Sequence, residues 1–143
     1  MLPEFLLAFG VYPVIFAAAI TAFAIGFIWH GMVFGKQWVA LVGFSKKEIE
    51  SGKKKGMGKP AFTQFVISVV MSFALFSVLS LTEATTIPGA TMTAFWVWLG
   101  FVATVQLGPV VWEKTPFKLY LINTGYYLVS MIAVANVIVI LLT

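Results

Sequence analysis

Few residues in this chain can do chemistry. Among its 143 residues there is one histidine, His30, and no cysteine. A metal site needs several imidazole, thiolate or carboxylate ligands converging on one ion, and a single subunit does not supply them. Paired carboxylates for general acid–base work are missing as well: Glu113 falls at one end of an apolar run, and Glu4 and Glu83 stand outside such runs. No acidic residue lies in the middle of an apolar run, which argues against an ordinary proton- or sodium-coupled transporter. The serines have only His30 as a base, with no acid placed to orient it. The glycines and lysines of GKKKGMGKP lack phosphate-loop spacing. The reading is therefore no catalytic residue, no metal, no cofactor and no nucleic-acid partner.

What remains is a polar seam of His30, Gln106, Asn123 and Tyr127 inside apolar surroundings. Polar groups in hydrocarbon are costly unless paired, so these should face the interior of a bundle. The seam is either a set of structural hydrogen bonds, each worth about 0.6 kcal/mol in a membrane, or the lining of a ligand pocket or narrow pathway open toward the cytoplasm. Trp29, Trp38 and Glu113 are candidates for the membrane interface, where an interfacial pocket would have to lie.

The elements that must position these residues are membrane spans. The chain is 61% hydrophobic and only 10% charged, against about 25% in soluble domains. Four apolar runs reach the roughly 20 residues that cross about 30 Å of hydrocarbon. They cover about residues 11–34, 61–81, 90–111 and 117–142 of one membrane domain, 1–143. The opening MLPEF lacks the positive region of a cleaved signal peptide, so the first run is read as retained. Pro3 and Glu4 suit the start of an interfacial lead-in. Ala18, Ala22, Gly26 and His30 recur every fourth residue, and Gly31 with Gly35 forms a GxxxG pair. Small residues at that spacing admit a second helix, from the same chain or from another subunit.

A basic loop at about 36–60 follows the first span. KQWVALVG reads as a short amphipathic helix lying in the headgroup layer. Ser45 and Glu48 form a capping box for KKEIES, stopped by Gly52, and GKKKGMGKP reads as a mobile loop. Lys46, Lys47, Lys53, Lys54 and Lys55 either bind anionic headgroups or only fix topology. Pro60 opens the second span; Pro109 kinks or ends the third; Thr115 caps the fourth, with Pro116 at its first position. All nine lysines lie between spans one and two or between spans three and four, and there is no arginine. Short basic loops stay in the cytoplasm, so both termini are expected outside. A faint repeat pairs Gly26-Phe27 and Trp38 with Gly100-Phe101 and Trp112.

The run Gly26, Trp29, Phe34, Gly35, Lys36, Trp38, Gly43, Ser45 resembles the hallmark of the bacterial domain-of-unknown-function family 1761. WLGFV (98–102) and INTGYYLVS (122–130) resemble its second half. The resemblance implies a small four-span integral membrane protein of undefined activity, in a bacterial cytoplasmic (inner) membrane. It also implies that tyrosine often stands at the His30 position and histidine at the Tyr127 position, so neither is an obligatory metal ligand or proton carrier. The expected fold is an all-α four-transmembrane-helix bundle. The expected function is a non-catalytic self-associating or accessory unit in contact with membrane lipids. The alternatives are a small oligomeric transporter or channel, or a lipid- or quinone-binding protein with its pocket near the cytoplasmic half.

Overall fold

The computed structural model describes residues 10–143; the expected lead-in at Pro3 and Glu4 lies outside them. Every regular element among the described residues is helical. Helix α1 spans Val11–Val33, α2 Gly35–Val42, α3 Lys46–Lys55, α4 Gly58–Leu81, α5 Ile87–Trp112 and α6 Phe117–Leu142. Helices α1, α4, α5 and α6 have 23 to 26 residues and are long and apolar enough to cross a membrane. The protein is an all-helical, multi-pass membrane protein with four spans.

The boundaries follow local chemistry, with several departures from expectation. The capping box forms as read: the Ser45 amide donates to Glu48 Oε2 at 2.6 Å and the Glu48 amide to Ser45 Oγ at 3.2 Å. Helix α3 then runs through Gly52, which stays helical, and stops at Gly56, whose φ of +75° suits glycine. Lys53, Lys54 and Lys55 fill its last turn, where cations complement the negative helix end. Much of the loop expected to be mobile is therefore helical. Helix α4 begins at Gly58, because Pro60 sits in a first turn whose amides need no partner. Helix α5 begins at Ile87, with the Thr86 hydroxyl accepting from the Gly89 amide at 3.2 Å. Of the two readings for Pro109, a kink or an end, the end is not seen: α5 continues to Trp112 with Pro109 inside it. Thr115 does not cap α6: Pro116 stands at the cap position in extended geometry, and the helix starts at Phe117.

Helix α6 is the hub. It packs against α1, α4 and α5, while α1 also packs on α4. The buried share of the apolar window is 39% for α6 and 11% for α5, so α5 touches little besides α6. The core gathers Ile15, Ala18 and Ala22 of α1 with Leu75 and Leu79 of α4, Ala90 and Ala94 of α5, and Val134, Ala135 and Ile138 of α6. These residues lie at the start of α1 and α5 and the end of α4 and α6. The tight packing is thus at the end away from the lysines, where alanines let the helices approach.

Two hydroxyls break the pairing rule in this core. Ser68 bonds back to the Gln64 carbonyl at 3.0 Å and Ser80 to that of Phe76 at 2.9 Å. Ser72 and Ser130 are fully buried and have no partner among the described residues. An unpaired buried hydroxyl costs about 1–3 kcal/mol. Ser72→Ala and Ser130→Ala are therefore expected to leave stability unchanged or raise it by about 1 kcal/mol in a denaturing-detergent titration. A clear loss in either variant would show that its hydroxyl has a partner after all.

Candidate functional site

At the lysine-bearing end the packing opens, beginning with a change of helical pitch. The last six residues of α1, Ile28–Val33, form a wide π-helical turn, and the Phe34 amide reaches the Trp29 carbonyl at 2.8 Å. Helix α5 has the same feature at Trp98–Ala103. Such turns re-aim side chains and are frequent at functional sites. Each turn carries a tryptophan and, two residues on, a glycine: Trp29 and Gly31, Trp98 and Gly100.

Both tryptophans serve α6. The Trp29 indole N–H donates to the Ile122 carbonyl at 2.9 Å and that of Trp98 to the Thr124 carbonyl at 2.8 Å. Between them, Trp38 of α2 donates to Asn123 Oδ1 at 3.2 Å. Three indoles from three helices thus clamp three consecutive residues. The Tyr120 hydroxyl of α6 in turn donates to the Ala103 carbonyl, in the wide turn of α5, at 2.9 Å. The likeness between the two halves is therefore in the Trp29/Trp98 register rather than the Trp38/Trp112 one. Trp112 is 84% exposed and takes no part.

A cavity of about 640 Å³ lies beside the Trp38–Asn123 pair of this clamp. His30, Gln106, Asn123 and Tyr127 all line it, so the four polar candidates meet in one place. Gln64 and Tyr126 join them, and sequence reasoning singled out neither. Gln64 carried a usable signal, since it is an amide one turn inside an apolar span and the rule that flags Gln106 flags it too. Tyr126 did not, because its neighbour Tyr127 looks the same until α6 is docked. The His30 ring meets Trp38 and Tyr126 edge-on, at centroid distances of 5.5 and 5.0 Å. The Tyr126 hydroxyl donates to the Ala22 carbonyl at 3.3 Å. Gly26 makes that possible: a Cβ there would stand 3.1 Å from the Tyr126 oxygen.

The remaining predicted residues separate. Ala18 and Ala22 are fully buried in the core, away from the cavity. Gly31 has open space where a Cβ would stand and lines the cavity, so it packs against no other helix among the described residues. A Cβ on Gly35 would meet the His30 carbonyl at 3.0 Å, so this glycine serves the turn at the end of α1. Trp29 wedges against Gly125, where a Cβ would come within 3.2 Å of its ring. Glu113 is exposed at the end of α5 and does not reach the cavity. Lys46, Lys47, Lys53, Lys54 and Lys55 are exposed on α3. A second groove of about 770 Å³ runs beneath α2 and α3 and shares His30, Gly31, Trp38 and Met57 with the cavity.

The lining is mostly apolar with a few polar side chains. Among the described residues no three metal-ligating side chains come together, and no Lys, Asp or Glu lines the cavity. Amides, phenols and one imidazole stand in a wall otherwise built of Phe23, Phe27, Trp38 and smaller apolar residues. A mostly apolar concavity with a few convergent polar groups is the usual form of a small-molecule site. No curated protein and no solved structure matches the chain. A family model described as a protein of unknown function matches residues 13–139, a stretch that takes in both tryptophan turns, Trp38 and the clamped segment of α6. On that match the chain belongs to the DUF1761 family.

Proposed function

We propose that the protein is a non-catalytic binding protein that takes an amphiphile from the membrane into the cavity between its spans. One observation carries this reading: polar side chains from all four spans, His30, Gln64, Gln106, Asn123, Tyr126 and Tyr127, face a single cavity with aromatic and aliphatic walls. A purely structural seam would pair its members, yet the Gln106 and Tyr127 side chains donate to no described residue, and a ligand would supply their partner. Native mass spectrometry of the protein released from mild detergent is expected to show one stoichiometric amphiphile per chain. A bare chain, or one carrying only exchangeable lipid, would return the seam to a structural role.

In this reading the protein sits in a bacterial cytoplasmic membrane with the lysine-bearing end inside. Helix α2 lies in the headgroup layer, and Lys46, Lys47, Lys53, Lys54 and Lys55 meet anionic headgroups, each worth about 1 kcal/mol. The absence of cysteine makes the topology simple to test. In intact cells an impermeant maleimide is expected to label Thr143→Cys and to spare Ser51→Cys. The opposite pattern would invert the orientation.

A self-associating unit is the second reading, favoured by α5. That helix is the least covered span, and Gly100 and Gly108 leave open space beside it. The same mass spectrum reports subunit number, and a monomer would remove this reading.

A further inference from the structure

We infer that the ligand's head is a neutral planar ring bearing carbonyl oxygens, of the quinone type, with one oxygen accepting from the Asn123 amide. The inference rests on the cavity being an amphiphile site and adds the chemical class of its occupant. The orientation of Asn123 is fixed by its neighbour. An indole N–H can only donate, so the atom that Trp38 meets at 3.2 Å is the Asn123 carbonyl oxygen. That leaves the Asn123 NH₂, with no partner among the described residues, as a donor on the cavity wall. Tyr126 spends its proton on the Ala22 carbonyl. The clamp thus presents a fixed donor, and a ligand meets it with an acceptor.

Charge and shape narrow the class. A phosphate or carboxylate head would be desolvated with no Lys in the lining to pair it, and an unpaired buried charge is heavily penalised. Phe23, Phe27, Trp38 and Tyr127 offer aromatic faces, which pack well against a flat ring. The volume suits a drug-sized ring. Phe27 and Met57, which also line the cavity, are 68% and 75% exposed, so a hydrocarbon tail has an apolar way out.

The test is calorimetric titration of the full chain in mild detergent with a short-tailed prenyl naphthoquinone. The matched probe is a naphthalene with the same tail. One equivalent of quinone is expected to bind at least ten-fold more tightly than the naphthalene. Asn123→Leu and Trp38→Phe are each expected to weaken quinone binding by about five- to ten-fold, the worth of one hydrogen bond, and to leave the naphthalene unchanged. Trp38→Phe keeps a smaller aromatic wall and loses the N–H that orients Asn123, so it carries the test if Asn123→Leu fails to fold. Equal binding of the two probes, or quinone binding untouched by both variants, overturns the carbonyl assignment and leaves the amphiphile site standing. Tighter binding of a prenyl alcohol than of the quinone overturns it too. Binding of neither probe, together with a chain isolated bare, removes both the inference and the reading beneath it.

Discussion

Trp29→Ala is expected to lower stability by about 3 kcal/mol, measured by circular dichroism during denaturing-detergent titration. This is the low end of the range for emptying a Trp site, because the Trp29 ring is only half-buried. Two losses combine. The Ile122 carbonyl loses its indole donor, which costs about 0.6 kcal/mol in a membrane. The greater loss comes from the void left beside Gly125, whose lack of a Cβ is what lets the ring approach α6. Trp29→Phe separates the two, since it keeps an aromatic ring and drops the N–H, and about 1 kcal/mol is expected. If the alanine variant is no worse than the phenylalanine one, the ring is only lipid-facing filler and the clamp is a hydrogen bond alone.

Gly26→Leu is expected to reduce stability by about 1–3 kcal/mol, the usual cost of overpacking, and to abolish ligand retention. A Cβ at Gly26 would stand 3.1 Å from the Tyr126 oxygen and 3.3 Å from its ring, so the Tyr126 side chain must shift and a leucine would push into its place. Gly31→Leu is the informative contrast. No neighbour lies within 4 Å of its Cβ position, yet it lines the same cavity. It should fold with near-native stability and still lose the bound amphiphile in native mass spectrometry. If both glycine variants kept the ligand at full occupancy, the cavity between α1 and α6 would not be its site.

These expectations rest on contacts of two kinds, local and distant. The local ones were legible. Residues 117–142 form a predominantly apolar run, and α6 occupies that range. The Ser45–Glu48 capping box links residues three apart and formed as read. Where local reading failed, a competing local interaction won. Gly52 stayed helical because Gly56 offered a better stop. Gln64 was legible by the same rule as Gln106. The choice of Tyr126 over Tyr127 for the Ala22 carbonyl was not.

The sequence by itself determined that this is a four-span helical membrane protein, because span length and the burial of backbone polar groups in hydrocarbon are properties of each segment alone. It also supplied the seam's members as polar residues in apolar runs. Only the tertiary structure decided that they share one cavity, and that Trp29, Trp38 and Trp98 seize three consecutive residues of α6 across separations of 93, 85 and 26 residues. The physical reason is that an indole N–H in a membrane must find some acceptor. Which acceptor it finds depends on how the wide turns of α1 and α5 aim it and how closely Gly26 and Gly125 let α6 approach, and those are set by docking rather than by spacing along the chain.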